Sequence, residues 1–155
     1  MGLFSNFFDR FKSSDFDIQP NQKVKTVQAD FKENFGITLR VYKGKVLADP
    51  DFTFAQLNQR TSKNVNWNAD DLKIRASMTI KQVEDMISEQ FGLTVQVANE
   101  HDTYCIPNHY TIGQATRKED LEDWCKKEGF ANSEEYLKSK GVKDWDEYYA
   151  QKKNK

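Results

Sequence analysis

The stretch "HDTYCIPNH" collects the residue types that can do chemistry: His101, Cys105 and His109 at intervals of four, with Asp102 beside the first. Imidazole nitrogen and thiolate sulfur are zinc ligands, and zinc takes three or four of them in a tetrahedron. The spacing matches no established zinc pattern, and a fourth soft ligand is missing unless Cys125 folds back towards it. Cys105 and an imidazole could instead pair as nucleophile and base, yet neither an oxyanion hole nor an orienting third group accompanies them. The plainer expectation is a hairpin whose turn contains Pro107-Asn108, with Cys105 buried as a small apolar residue; in the alignment of the two copies it falls opposite Leu47, an expected core residue. No metal or other cofactor is expected; His101, Cys105 and His109 are the candidate ligands should one bind.

Other reactive patterns do not occur. The sequence has no Gly-rich phosphate loop, no HExxH, no nucleophile elbow and no dinucleotide fingerprint. The carboxylates of "EDLED" and "DWDE" read as helix starts, where negative charge suits the helix dipole. The chain is expected not to be an enzyme.

Binding chemistry is more visible. Lys23, Lys25, Arg40, Lys43 and Lys45 cluster early, and Arg40 and Tyr42 would share the polar face of a strand. Basic and aromatic residues on a sheet can hold single-stranded nucleic acid, but 56 residues on, Gln96 and Ala98 stand at those positions. A solvated sheet face is the simpler expectation, and nucleic acid is not the expected partner. At the amino terminus Phe4, Phe7, Phe8 and Phe11 form a stripe at helical spacing. It suits the chain's own core, a partner's groove or a membrane surface, although an interfacial anchor usually carries more Lys or Arg opposite. Near the carboxyl terminus Tyr136, Trp145, Tyr148 and Tyr149 lie on helices too short to stand alone in water. Their apolar faces need cover, either from the sheets or from a partner.

The elements that position these residues emerge from a repeat. Asp15–Tyr42 aligns with Asp71–Ala98 without a gap and is identical at nine of 28 positions. "DFDI" and "DLKI" alternate like half-buried strands. Val24, Val27, Phe31 and Phe35 then line one helix face, as do Ile80, Val83, Ile87 and Phe91. Gly36 and Gly92 follow, where a left-handed helix cap favours glycine. After each glycine the apolar period becomes two: Ile37, Leu39, Val41 and Leu93, Val95, Val97. Thr53-x-x-Gln56, Thr79-x-x-Gln82 and Thr111-x-x-Gln114 have capping-box spacing.

The expected fold is therefore α+β: two tandem βαββ units at 15–57 and 71–115, with helices packed on antiparallel or mixed sheet. An amphipathic segment (1–14) precedes them, a linker (58–70) joins them, and a helical tail (116–155) follows. A unit of about 45 residues buries too little surface alone, so a shared core is expected. In the tail, Lys126–Leu137 aligns with Lys138–Tyr149 at a spacing of 12, with Gly129 and Gly141 placed to end helices, which predicts short helices near 118–128, 133–140 and 145–153. The joint "FGITLRVYKGKVLADPDFTFAQL" and its partner "FGLTVQVA…YTIGQA" resemble tandem modules in bacterial proteins of unknown function. The resemblance covers roughly Asp15 to Arg117, implies a bacterial cytosolic protein, and brings no catalytic residue.

Composition bounds the rest. The 155 residues include 23 Lys and Arg against 24 Asp and Glu, a net charge of −1, so no global basic footprint marks a nucleic-acid binder. Two cysteines are too few for a disulfide framework. No run approaches the roughly 18 apolar residues of a membrane span, and "MGLFSNFFDRFK" lacks the charged lead of a secretory signal. A cytoplasmic interaction protein is the expectation, its partner another protein, with membrane-surface association as the alternative.

Overall fold

A computed structural model of the chain describes residues 16–58 and 72–153. The Phe4, Phe7, Phe8 and Phe11 stripe lies outside the described residues, as does the expected linker apart from Asn58. The elements run β1 (Phe16–Ile18), α1 (Val24–Phe35), β2 (Thr38–Lys43), β3 (Val46–Leu47) and α2 (Phe54–Asn58) in the first copy. The second copy supplies β4 (Leu72–Ile74), α3 (Ile80–Phe91), β5 (Thr94–Ala98) and α4 (Ile112–Thr116). After Thr116 a second compact unit begins, with α5 (Glu119–Lys127), α6 (Ser133–Ser139) and α7 (Trp145–Lys153). The class is α+β.

In the first unit the sheets are made between copies. β1 pairs antiparallel with β4, and the three-stranded sheet has the order β3-β2-β5. The central partners are Asp17 with Lys73 and Arg40 with Gln96; both pairs lie 56 positions apart. Each strand pairing is thus centred on equivalent positions, as a local twofold axis through the pair requires. Backbone bonds recur as well, with the second copy two residues longer after its central strand: the Val24 and Ile80 N–H groups donate to the Phe52 and Tyr110 carbonyls at 2.9 and 2.8 Å.

The long helices and the central strands turn their apolar sets inward. Val24, Val27, Phe31 and Phe35 of α1 are buried, as are Ile80, Val83, Ile87 and Phe91 of α3. Leu39 and Val41 of β2 join Val95 and Val97 of β5 in the same core. Gly36 and Gly92 end the two long helices at φ 71° and 69°, their N–H groups returning to Lys32 and Ser88. That left-handed exit lets a strand follow within two residues, a turn glycine makes without Cβ strain. Helix packing also crosses between copies, α4 against α1 and α2 against α3. Phe54 meets Phe91 edge-on at 5.2 Å. The core is one cluster.

All three Thr-x-x-Gln sequences form reciprocal capping boxes, with the Thr hydroxyl accepting from the Gln N–H and the Gln side chain accepting from the Thr N–H. The copies part company after their central strands. In the first, Gly44 at φ 64° sits in a two-residue turn and β3 pairs back on β2. In the second, the last strand is reduced to one bridge between Ala98 and Cys105. The chain reverses there across Asn99–Tyr104, where the Asn99 carboxamide accepts from the Thr103 and Tyr104 N–H groups. The expected turn at Pro107-Asn108 comes later, closed by Tyr110 N–H donating to the Pro107 carbonyl. Asparagine's side chain, hydrogen-bonding its own downstream backbone, outweighed the proline signal.

The second unit joins its helices by two equivalent turns. Phe130 N–H donates to the Cys125 carbonyl and Val142 N–H to that of Leu137, with Gly129 and Gly141 at positive φ between. Both are Schellman closures. Asn132 and Asp144 then cap the next helices, accepting from Glu135 and Glu147 N–H groups. Glu122 reaches from α5 to accept from Ser133 N–H at 2.7 Å, tying α5 to the start of α6.

Candidate functional site

The solvent side of the three-stranded sheet gathers most of the reactive candidates. Alternation along β2 sends Leu39 and Val41 inward and leaves Thr38, Arg40 and Tyr42 on the other face. Arg40 is anchored there: its Nε donates to Asp102 Oδ1, Nη2 to the Asp102 carbonyl at 3.2 Å, and Nη1 lies 3.3 Å from Cys105 Sγ. Hydrogen bonding to Asp102 raises the guanidinium pKa further, so Arg40 stays charged. Gln96 Oε1 accepts from Tyr42 Oη at 3.1 Å and from Cys105 Sγ at 3.3 Å. The result is a connected polar patch whose one cation is already matched by a carboxylate.

Cys105 is exposed, contrary to the expectation that it is buried. Ile106 takes the inward position, 3% exposed, and alternation puts its neighbour outside. Leu47, the counterpart of Cys105 in the first copy, is likewise 63% exposed and not a core residue. Apolar identity misled at both positions: alternation decided Cys105, and at Leu47 the edge strand leaves both of its residues exposed. The ring of His109 lies 4.2 Å from that of Tyr110. His101 sits beside Glu100, Nε2 to Oε2 3.9 Å. The ligand atoms of His101, Cys105 and His109 do not all lie within 4.8 Å of one another.

Half-buried Glu84 has a different task. Its carboxylate accepts from Val97 N–H at 3.0 Å on the side of β5 away from β2. Burial raises its pKa, against the opposing effect of that hydrogen bond. This is an internal cap for a sheet edge.

In the second unit the aromatic side chains cover one another. Tyr136 of α6 is the hub: Trp124 and Phe130 meet it edge-on at 5.0 and 5.1 Å, and Trp145 stacks at 5.8 Å with planes 22° apart. Tyr148 and Tyr149 of α7 continue the cluster against Trp145. The Tyr136 and Tyr148 hydroxyls lie 3.1 Å apart. Burial, then the Tyr148 bond, raises Tyr136. Burial also opposes ionisation of Tyr148, but hydrogen bonds with Lys152 and Tyr136 bring it below its usual value. Tyr148 therefore ionises first, and Lys152 also lies 4.7 Å from its ring centroid.

Of the four expected tail contacts, Tyr136, Trp145 and Tyr149 are buried and Tyr148 is half-buried. Trp124, outside that set, is 41% exposed. Its position could have been found from α5 itself. Leu121 and Cys125, four apart, are buried, and Trp124 lies at the margin of the stripe they define.

Among the described residues no helix is long and apolar enough to cross a membrane. Comparison with family models, with curated proteins and with solved structures finds no match to this chain.

Proposed function

We propose that the chain is a non-catalytic protein-interaction module, and that the aromatic cluster of its second unit supplies the contact. The observation that carries this reading is Trp124, exposed over 41% of its surface while its ring rests edge-on against buried Tyr136. An aromatic side chain already held in place loses little conformational freedom on binding, and Trp and Tyr dominate binding hot spots. Half-buried Phe130, also on Tyr136, extends the patch. The polar sheet face is a poorer contact for a nucleic-acid backbone, because Arg40 is matched by Asp102 and offers phosphate little unpartnered charge. The tandem modular build and the bacterial, cytoplasmic setting that the resemblance implies belong to the same proposal.

Affinity capture from the native cell, comparing full-length wild type with Trp124→Ala and Arg40→Ala, tests it. The expected result is a set of proteins lost with Trp124→Ala and kept with Arg40→Ala, both variants remaining folded by circular dichroism. A capture profile indifferent to Trp124 would refute the assignment.

A further inference from the structure

The edge of the three-stranded sheet at β3 carries its own pattern. Ala48 N–H donates to the Val41 carbonyl at 2.9 Å, which makes Val41 and Ala48 a hydrogen-bonded pair. Pairs alternate along an antiparallel ladder, so the next pair, Tyr42 with Leu47, is the non-bonded kind. The N–H and C=O of Leu47 therefore point away from β2, towards the open side. Val46 and Leu47 are 71% and 63% exposed. Natural edge strands are usually blunted by a charge, a proline or a bulge; the two residues of β3 have none.

The flanking charges are arranged about the same point. In "KGKVLADPD" (43–51), Lys45 and Lys43 lie two and four residues before Leu47, and Asp49 and Asp51 lie two and four after it. An antiparallel pairing of this strand with itself, centred on Leu47, brings Lys45 of each copy towards Asp49 of the other, whereas Lys43 lies across the turn on β2 and takes no part. Asp51 already holds Lys25 at 2.8 Å, which leaves Lys45 and Asp49 as the clearest matched pair.

We propose that a second copy of this chain docks here, adding its β3 antiparallel to the first about a twofold axis at Leu47. The two Leu47 residues exchange both backbone hydrogen bonds, and the sheets join as β5-β2-β3-β3-β2-β5. Charge that is opposite on either side of the axis is what an isologous contact requires of one strand; a foreign strand would require no such symmetry. At the far end of the sheet, the outward groups of Val97 in β5 are already taken: Glu84 accepts from Val97 N–H and Ile106 N–H donates to the Val97 carbonyl. An isologous contact uses the β3 edge of both copies at once, so this assembly stops at a dimer.

Sedimentation equilibrium of the full chain over a wide concentration range tests the proposal. The mass should approach twice 18.1 kDa as concentration rises. Lys45→Asp and Asp49→Lys should each weaken self-association by roughly tenfold or more, since like charges then face each other twice. The double variant, with the charges exchanged, should restore it. Leu47→Pro removes the outward donor and should give a monomer with an unchanged far-UV circular dichroism spectrum. A wild type that stays monomeric overturns the proposal, whether another segment or a different protein covers β3. So does a dimer indifferent to both single reversals, or one that the double variant fails to rescue while remaining folded.

Discussion

Individual residues differ in what their surroundings allow, and the two cysteines show it most simply. Cys105 is exposed beside Arg40 and Gln96, whereas Cys125 is fully buried and its thiol pKa is raised by burial and then by Glu122. A maleimide should label Cys105 in the folded protein and Cys125 only on unfolding, as peptide mass mapping with and without denaturant can establish; prompt labelling of both would contradict the placement of Cys125. Glu84 gives a pH signature. Its folded pKa lies above the ordinary value of 4.5, so its protonated form favours the fold. The associated stability is present below that ordinary value and is lost as pH rises through the folded pKa. Glu84→Gln keeps an acceptor for Val97 N–H without the charge, and its melting temperature should gain on wild type as pH climbs from acid to neutral. Glu84→Ala leaves that buried N–H unsatisfied and should cost about 1–3 kcal/mol at neutral pH.

At the scale of elements, the sequence was most legible where local chemistry is specific. Gly36, Gly92, Gly129 and Gly141 mark left-handed turns at or just beyond helix ends, and each Thr-x-x-Gln is a capping box, because these signals act over three or four residues and need no tertiary context. The hairpin after β5 was misread because Asn99 offers the backbone a competing turn. The exposure of Leu47 and Cys105 was missed because burial depends on which face of the sheet is covered, a property of the whole assembly. Trp124 was passed over for a related reason: a tail aromatic looks equally available until its neighbours are in place. The copies also differ at one cap in a way that can be exploited. Thr79 caps α3 through its side chain, whereas Lys23 at the equivalent start of α1 makes no side-chain cap. Lys23→Thr should therefore stabilise the protein by about 0.5–1 kcal/mol, seen as a higher denaturant midpoint at unchanged slope. An unchanged or lower midpoint would mean that α1 gains nothing from the cap its counterpart uses.

For the molecule as a whole, the first unit is one core assembled from both copies. β1 and β2 find partners in β4 and β5 rather than in their own copy alone, α4 packs on α1, and Phe54 rests on Phe91. That interleaving answers the size problem, since neither copy buries enough apolar surface to stand by itself. It also steadies the outer face of the sheet and the β3 edge, both of which depend on β2 being held between copies. The shared core was expected from chain length, but the pairing of positions 56 apart could not be read from the repeat, which fits fused and abutting sheets alike. A double-mutant cycle on Phe54 and Phe91, one residue from each copy, tests the shared core most directly. Each truncation to Ala should cost about 3–5 kcal/mol, and the pair should show a coupling of about 0.5–1.5 kcal/mol, as expected for an edge-on aromatic contact. Additivity within about 0.3 kcal/mol would mean that the rings do not feel each other, and the single core joining both copies would be contradicted.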